Sequence, residues 1–283
     1  MNNASLLSRT VYGIKRHPIR AILTAGASYL ILWSIVEPAI TFLGFEQVNG
    51  PKYFFVLVVL AVLTGIIRSI VPLRIELKIA NTPGHIEVTF EDIFAIEGIR
   101  VIPINRYFDG ELGDLVSPNS LHGKFLTKIY RGNRQEFSSA VAPHLAAHPF
   151  TVVPTKQGNV NQYAIGTAIL VGTGSERYIL IPTADTDPTT LKAGTDFNTV
   201  WRALDSLWSF ARLNCGGDPI VVPLIGGGLS GLKLDHRRIL DMTLLSLIYH
   251  TLVHGVGCKV VIAIEPCRAR EIDLRDVATN WGH

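Results

Sequence analysis

The sequence has few charged residues and few cysteines. Only 17% of its 283 residues are Asp, Glu, Lys or Arg, whereas soluble domains usually carry about a quarter. The three cysteines, Cys215, Cys258 and Cys267, form no CxxC pair and have no histidine at ligand spacing, which argues against a zinc site and a disulfide framework. The net charge of +3 is too small to indicate nucleic-acid binding by itself. We therefore expect no metal, no nucleic-acid partner and a reducing compartment for most of the chain.

Apolar residues are concentrated near the start of the chain. Between residues 21 and 45 the only charged residue is Glu37, and between 53 and 67 there is none. Each run approaches the roughly 20 residues that a helix needs to cross a bilayer, and the polar turn EQVNGPK separates them. We predict two membrane-spanning helices, at about 21–45 and 53–73. A buried hairpin in a soluble core and a cleaved signal peptide are the alternatives, and the second apolar run argues against the signal peptide.

The charges that flank these runs predict an orientation. A basic tail, residues 1–20, precedes the first run, and Arg68, Arg74 and Lys78 accompany the end of the second. The turn between the runs carries one acid and one base. Because Lys- and Arg-rich flanks stay cytoplasmic, we predict that both termini lie in the cytoplasm. Residues 80–283 then form a cytosolic domain.

Two charged residues fall within the predicted spans, and we assign both to the membrane part. Arg68 lies about one turn from the cytoplasmic end, where its side chain can reach the interface. Glu37 lies roughly 12 Å inside the opposite boundary, at about 1.5 Å per residue. A carboxylate at that depth is a functional candidate. Glu37 therefore either serves a pore or helix interface, or is a locally hydrated carboxylate that the helix tolerates.

From about residue 80 onward, strand and helix patterns alternate. HIEVTFEDIF predicts a half-buried strand, IRVIPIN, PIVVPLIG and CKVVIAIEP predict buried strands, and YAIGTAILVG with ERYILIPTA predicts a hairpin across TGSE. FNTVWRALDSLWSFARLN and LDHRRILDMTLLSLIYHTLV predict helices. This alternation predicts a three-layer α/β/α sandwich with helices on both faces of a sheet. We expect the proline-containing stretch 136–162 to be an irregular connection.

A glycine-rich loop follows the strand PIVVPLIG. Gly226, Gly228 and Gly231 match G-x-G-x-x-G. A dinucleotide-binding fingerprint, however, opens a sheet and is followed by an acid about 20 residues later, whereas this loop comes near the end of the chain, before the last predicted strand. Leu232 precedes Lys233 and no Ser or Thr follows, so the loop is not a Walker A loop either. Its backbone amides and the following helix predict phosphate binding, with a tight structural turn as the alternative.

A second loop of the same kind lies in SPNSLHGKFL. It also falls between a strand and a helix, with Ser120, Gly123 and Lys124 at the turn. Two such loops at the carboxyl ends of neighbouring strands would hold a diphosphate between them, where open α/β sheets place their ligands. Near the other loop, we expect His236 to be a solvated residue at a helix start.

These segments resemble the macro domain, an α/β module that binds ADP-ribose, over residues 84–267. FEDIF resembles the family's Gly-Asp-Ile-Thr segment, whose Asp accepts a hydrogen bond from the adenine amino group. IPIN resembles the strand that leads into the family's Asn-Ala-Ala-Asn motif. NSLHGKF takes the place of the family's first phosphate loop, and PLIGGGLSGLKL resembles its second phosphate loop. The resemblance implies a set of ligand-binding residues: Asp92, Ile93, Asn105, Phe108, Asp109, Ser120, Leu121, His122, Gly123, Lys124, Gly226, Gly227, Gly228, Leu229, Ser230 and Gly231.

Two departures from the family pattern lie near the distal ribose of such a ligand. Phe108, followed by Asp109, stands where the family has its second Asn, and the usual Gly-Gly-Gly of the first loop is replaced by a segment that contains His122. Both argue against ADP-ribosyl hydrolase activity and imply a ligand modified at that end. His122 remains open as a ligand contact, a turn-stabilising residue or a base. No nucleophile–base pair follows from spacing, so we assign no catalytic residue.

Two apolar helices before a divergent macro domain resemble the membrane effector of bacterial Thoeris antiphage systems. The resemblance implies no cofactor, and a messenger derived from ADP-ribose, such as histidine-ADP-ribose, made by a TIR-domain enzyme. It also implies a homo-oligomer that disrupts the bacterial inner membrane and kills the infected cell. The alternatives are a membrane-anchored ADP-ribosyl hydrolase and a passive anchor that binds ADP-ribose.

Overall fold

The computed structural model describes residues 6–42, 50–79, 82, 84–228 and 231–282. The chain divides into two compact units. The first, which we call the helical unit, comprises Met1–Leu73 and Asp273–Asp276. The second, which we call the α/β unit, comprises Arg74–Ile272 and Val277–His283. A short C-terminal stretch therefore belongs to the same unit as the N-terminal helices.

Three helices make up most of the helical unit: α1 (Leu6–Arg16), α2 (Pro18–Phe42) and α3 (Gly50–Arg68). α2 begins at a proline, which suits a first helical position because its missing amide would have no partner there. α2 and α3 approach closely where Gly65 faces Ala25, since an added Cβ at Gly65 would lie 3.0 Å from the Ala25 Cβ. Small residues at this crossing let the two backbones pack.

Both long helices are apolar enough to cross a membrane, over Pro18–Phe42 and Pro51–Arg68. α2 begins before the predicted start at residue 21, and α3 ends before the predicted boundary at 73. α3 ends at Arg68 because Pro72 has no amide to donate and disfavours helical geometry at the residue before it. Most of the predicted turn, residues 43–49, lies outside the described residues.

The α/β unit is built on one large sheet. Its strands, in chain order, are β1 (Arg74–Lys78), β2 (His85–Thr89), β3 (Ile99–Asn105), β6 (Ile169–Thr173), β7 (Glu176–Thr186), β8 (Ala193–Gly194), β9 (Ile220–Pro223) and β10 (Val260–Ala263). They lie in the order β1-β2-β10-β9-β3-β7-β6, and β8 pairs with β7. A separate two-stranded sheet joins β4 (Phe150–Val152) and β5 (Asn161–Tyr163).

The five central strands are parallel. β2, β10, β9, β3 and β7 pair in parallel, for example Val260 with Ile220 and Val101 with Ile179, whereas β1, β6 and β8 are antiparallel. Parallel strands that are covered on both faces have continuous apolar runs, which is why IRVIPIN and PIVVPLIG lack polar alternation. The carboxyl ends of these strands all meet at one edge.

The helices of this unit are α4 (Leu121–Tyr130), α5 (Arg134–Leu145), α6 (Phe197–Asn214), α7 (His236–His254) and most of α8 (Leu274–Trp281). Short 3-10 helices lie at Ile93–Ala95 and Pro266–Arg270. The predicted α6 is confirmed: it spans the whole predicted segment, and Asp196 caps it by accepting from the Thr199 amide. Its apolar face, which includes Leu204 and Trp208, is buried. The mixed sheet with its helices confirms the predicted α/β class.

The prediction of an irregular connection over 136–162 is wrong. Most of α5, all of β4 and most of β5 lie in this stretch. α5 forms because Asn133 caps it through the Gln135 and Glu136 amides, and because Phe137 and Val141, one turn apart, are buried. Its prolines obscured this helical spacing.

The strand β1 was not predicted, and its presence changes the environment of β2. β1 pairs with β2, and Ile86 to Thr89 are buried instead of alternating between core and solvent. Glu87 is 3% exposed and pairs with Arg74 at 2.5 Å and Lys259 at 2.6 Å. The half-buried assignment of this strand is therefore wrong, because an ion-paired acid occupies a buried position.

Candidate functional site

The predicted ligand-binding residues follow the carboxyl ends of adjacent strands. Asp92 comes after β2, Glu265 after β10, the glycine loop that begins at Gly226 after β9, and Asn105 ends β3. These four strands are neighbours in the sheet. Residues far apart in the chain therefore share the edge at which parallel sheets bind ligands.

The segment after β2 combines a buried anchor with an exposed carboxylate. Ile93 is 6% exposed and packs in a cluster with Val221 and Ala263 of the neighbouring strands. Asp92 is exposed, and its Oδ1 accepts from the Phe94 amide at 3.1 Å. Its Oδ2 has no donor within the part of the chain that the structure describes. Asp92 therefore presents a free hydrogen-bond acceptor at the sheet edge.

The first predicted phosphate loop is the N-terminus of α4. The Ser120 Oγ accepts from the Gly123 amide at 2.9 Å, and the Ser120 carbonyl accepts from the Lys124 amide at 2.9 Å. The amides of Leu121 and His122 have no acceptor among the described residues, as expected for the first turn of a helix. An added Cβ at Gly123 would lie 2.2 Å from the Ser117 carbonyl oxygen, so the turn requires glycine there. Two backbone donors remain for an anion.

His122 is buried in this turn. Its ring lies 6.0 Å from that of Phe137, it is 5% exposed, and its Nε2 has no hydrogen-bond partner among the residues that are described. Burial lowers the pKa of His122 to about 3, so the imidazole is neutral at physiological pH. An effective catalytic base has a pKa near the working pH. This burial argues against the third alternative for His122, that of a base.

Lys124 points toward the end of β10 and pairs with Glu265 at 3.2 Å. Both side chains are at least half exposed, and an exposed pair of this kind contributes about 0–1 kcal/mol. The Lys124 ammonium group can therefore leave Glu265 and pair with a phosphate at little cost in free energy.

Asn105 organises the turn that follows β3. Its Oδ1 accepts from the amides of Tyr107 and Asp109 at 3.1 and 3.2 Å, and its Nδ2 donates to the Asp109 Oδ2 at 3.0 Å. Both ends of the side-chain amide are thus used within the turn, which fixes the backbone directly after β3.

Phe108 and Asp109 are held inside the unit. Phe108 is 1% exposed, adopts a left-handed φ of 51°, and meets the Tyr163 ring edge to face. Asp109 is 2% exposed and pairs at 2.8 Å with Lys156, whose side chain is 0% exposed. The Asn159 amide donates to the other Asp109 oxygen at 2.9 Å. Neither residue offers a free polar group, so their predicted ligand contacts require the turn to move.

Sequence reasoning missed Lys156. It lies in the stretch expected to be irregular, 47 residues from its partner in the chain. Its Nζ also donates to the Gln157 carbonyl at 2.7 Å and lies 4.3 Å from the centre of the Tyr107 ring. The spacing of residues in the sequence does not indicate this contact. The available signal is Asp109 itself, an acid beside apolar residues that needs a cation when it is buried.

The glycine loop has a tight internal conformation. The amides of Gly227, Gly231 and Leu232 donate to carbonyls within the loop. An added Cβ at Gly231 would lie 2.6 Å from two of these carbonyl oxygens, whereas one at Gly228 would meet nothing within 4 Å. The amides of Gly226 and Gly228 have no acceptor in the described ranges. The predicted contacts Leu229 and Ser230 lie outside the described residues.

The helix after this loop begins later than expected. α7 starts at His236, and Asp235 caps it by accepting from the Arg238 amide at 2.9 Å. The predicted helix, whose segment begins at Leu234, is confirmed with a start two residues later. His236 is not a solvated residue: its Nε2 lies 3.3 Å from the Gly227 carbonyl oxygen, and its Nδ1 lies 2.6 Å from Glu271. A sequence-distant acid thus holds His236 against the loop.

The two membrane-part residues lie on the helical unit. Glu37 is exposed on α2, and its carbonyl accepts from the Thr41 hydroxyl at 3.0 Å. Arg68 is the last residue of α3 and is exposed. The two residues form no ion pair with each other in the described structure.

One group of three potential metal ligands occurs in the described chain. His17, Asp273 and Asp276 of the helical unit place their ligand atoms within 4.8 Å of one another. Asp273 already accepts from Arg275 at 2.6 Å, so a guanidinium balances its charge. We therefore treat the group as an ion-pair cluster.

Comparisons with known proteins show the family and the fold of the α/β part of the chain. The family model described as Thoeris protein ThsA, Macro domain, matches residues 86–265. A mutant macrodomain of Oceanobacillus iheyensis with ADPR has a TM-score of 0.50 at 12% identity, covering 73% of this chain and 98% of that one. The macrodomain of the same organism with ADP has a TM-score of 0.49 at 12% identity, covering 73% and 96%. No curated protein matches the sequence. At such identity, similarity to the solved structures concerns the fold alone.

Proposed function

Because the chain belongs to the family of the Thoeris protein ThsA macro domain, we propose that it is a membrane effector that binds a messenger derived from ADP-ribose. The observation that carries the proposal is the set of backbone donors at one sheet edge. The amides of Gly226 and Gly228 after β9, and of Leu121 and His122 at the start of α4, have no acceptor among the residues described. Backbone amides in such loops are well suited to phosphate oxygens.

The remaining contacts of the messenger follow along the same edge. In the proposed complex, the free oxygen of Asp92 accepts a hydrogen bond from the adenine amino group. The pyrophosphate accepts from the free backbone amides of the two loops. A structure of similar fold contains ADPR, which supports this class of ligand. We propose that the distal, modified end lies near Ser120 and His122, in a messenger such as histidine-ADP-ribose made by a TIR-domain enzyme.

We propose that the site senses its ligand without hydrolysing it. The two side chains nearest the expected distal ribose are poorly suited to general base catalysis. Burial holds the pKa of His122 at about 3, and Asp109 is committed to Lys156 at 2.8 Å. Hydrolysis would need one of these groups to be freed first.

The helical unit supplies the membrane part of the proposal. α2 has no buried residue, which is unlike the core helix of a soluble protein. With the basic flanks, this exposure supports two spans in the bacterial inner membrane with both termini cytoplasmic. Several copies would bring Glu37 together at a helix interface or pore, because an isolated carboxylate in hydrocarbon is costly.

The C-terminal stretch offers a route between ligand and helices. Glu271 holds His236 beside the glycine loop, and Asp273, two residues later, belongs to the helical unit. There Arg275 donates to the Ser69 carbonyl at 3.1 Å. Burial opposes ionisation of Asp273, but its hydrogen bonds with Arg275 outweigh that effect and hold the pKa of the carboxyl below its ordinary value. We propose that this stretch transmits ligand occupancy, which requires the messenger to favour one state.

Titration calorimetry on the full chain in detergent tests the ligand assignment. We expect histidine-ADP-ribose to bind, and Asp92→Ala to weaken binding about tenfold, because a lost hydrogen bond to a charged group costs about 1.5 kcal/mol. Glu91→Ala, at the adjacent exposed acid, should leave the affinity unchanged. Equal affinity of Asp92→Ala and the wild type would remove the assigned site. Release of free ADP-ribose, measured by mass spectrometry, would replace the sensor with a hydrolase.

A further inference from the structure

The helical unit contains an open cleft at one end of α2 and α3. Its volume is about 740 Å³. Three arginines, Arg16, Arg20 and Arg68, line it, and the apolar residues Leu23, Ala27 and Ile31 continue along α2. The lining is therefore cationic where arginines of α1, α2 and α3 contribute to it, and apolar farther along α2.

The guanidinium groups of this cleft differ from those of the other arginines in the helical unit. In the same unit, Arg9 donates to the Val71 carbonyl at 2.8 Å and Arg275 to Asp273. The guanidinium groups of Arg16, Arg20 and Arg68 have no acceptor within the described residues. Guanidinium groups pair most effectively with phosphate or carboxylate oxygens, so this end of the cleft is suited to an anion.

The rest of the wall is suited to hydrocarbon. Leu23 and Ile31 are 66% and 60% exposed. The hydroxyl of Thr24 donates to the Arg20 carbonyl at 2.7 Å, and that of Thr64 donates to the Leu60 carbonyl at 2.8 Å. These hydroxyls are therefore used within their own helices. From Arg20 to Ile31 the helix rises roughly 16 Å, at about 1.5 Å per residue, which is long enough to lie along a lipid acyl chain.

We infer that this cleft binds one anionic phospholipid, with its phosphate among Arg16, Arg20 and Arg68 and an acyl chain against Leu23, Ala27 and Ile31. The inference rests on the proposed membrane location and is independent of the messenger. A free phosphate would use only the cationic end. A lipid uses both ends, and the apolar wall favours it.

Native mass spectrometry of the full chain in a neutral detergent tests this inference. Phosphatidylglycerol and phosphatidylcholine are added in equal amounts, and the bound lipids are counted. We expect the wild type to retain phosphatidylglycerol at least about tenfold better, because several basic residues close together attract anionic lipids. A variant carrying Arg16→Gln, Arg20→Gln and Arg68→Gln should lose this preference.

A matched variant removes the same charge elsewhere. Arg202→Gln, Arg212→Gln and Arg270→Gln change exposed arginines of the α/β unit and should keep the lipid preference. Equal retention of both lipids by the wild type, or equal loss in both triple variants, would overturn the inference.

The apolar wall is tested separately. Ala27→Trp fills the cleft and should reduce retention of phosphatidylglycerol. Ile22→Trp changes a residue that is 71% exposed and does not line the cleft, and it should have no effect. Complete displacement of the lipid by millimolar inorganic phosphate would show that the wall contributes nothing and would overturn the lipid assignment. Messenger binding measured on the same samples separates a failure here from a failure of the proposed sensor.

Discussion

Apolar side chains have opposite surroundings in the two units. In the α/β unit, the strand residues Val221 and Ile262 are 0% exposed. In the helical unit, Ile22 and Leu30 of α2 are 71% and 66% exposed, although α2 and α3 pack closely near Gly65. The α/β unit thus contains its own core. Under the proposed membrane location, lipid or further copies of the chain would cover the exposed apolar surface of α2.

Charged groups differ in the same way. The α/β unit pairs its buried charges internally, as with Asp109 and Lys156 or with Glu87 between two cations. The helical unit leaves Arg16 and Arg20 without a carboxylate in the structure described. The difference indicates that the α/β unit balances its buried charges internally, whereas the proposed membrane location would supply hydrocarbon and anions to the helical unit.

The largest effect should come from breaking a buried pair of the α/β unit. Lys156→Met leaves Asp109 buried without its cation, and removing one partner of such a pair costs about 3–5 kcal/mol. Denaturant unfolding of the full chain in detergent measures the loss. Lys124→Met, which removes an exposed partner of Glu265, should cost at most about 1 kcal/mol. Similar small losses in both variants would mean that the α/β unit does not depend on internal pairing.

A second effect should appear in ligand affinity alone. Gly228→Val adds a side chain where the loop is open, and we expect it to weaken messenger binding about 100-fold, or about 2.7 kcal/mol, by blocking the approach of a phosphate. Gly257→Val, at another open glycine that precedes β10 on the opposite edge of the sheet, is the matched control. Calorimetry measures binding and thermal unfolding checks the fold. Unchanged affinity in Gly228→Val would place the ligand elsewhere.

Much of the α/β unit follows from local sequence patterns. The α6 helix combines an aspartate cap with apolar residues at helical spacing, both within one segment. The glycine loop and the turn at Ser120 were located from residue chemistry and their place after strands. These features depend on neighbours in the chain, which the sequence displays directly.

The remainder depends on contacts between distant residues. Lys156 and Asp109 pair although they are 47 residues apart in the chain. His236 contacts Glu271 although α7 and β10 separate them in the sequence. The strand β1 forms because it pairs with β2. The charged residues of β1 hide the apolar pattern that would predict a strand. The sequence also does not indicate which loop amides are already used internally, because that depends on backbone geometry at positions such as Gly226 and Gly231.

A third variant should reduce the membrane response to the messenger without changing messenger binding, and its expected effect is smaller. Arg275→Gln weakens the hold of the C-terminal stretch on the Ser69 carbonyl, and we expect about a tenfold loss of messenger-induced dye release from reconstituted vesicles, within the usual range of coupling energies. Messenger affinity should stay within about twofold. Arg270→Gln, at an exposed arginine earlier in the same stretch of sequence, should leave both unchanged. Full dye release by Arg275→Gln would mean that this stretch carries no signal.

The smallest effect should come from the charged residue of α2. Glu37→Gln keeps the shape and polarity of the side chain and removes its charge. If several copies of α2 place this carboxylate in a hydrated interface, the charge contributes to the response but not to ligand binding. We then expect messenger affinity to be unchanged and dye release to fall by a factor of roughly three, about 0.65 kcal/mol.

Ser34→Ala is the matched control for Glu37→Gln, because the Ser34 hydroxyl lies about one turn away and donates within its own helix at 2.8 Å. Loss of dye release in both variants would point to general damage to α2. Full release in Glu37→Gln would show that the carboxylate is a tolerated, hydrated group. The exposed apolar surface of α2, rather than its single acid, would then account for the membrane response.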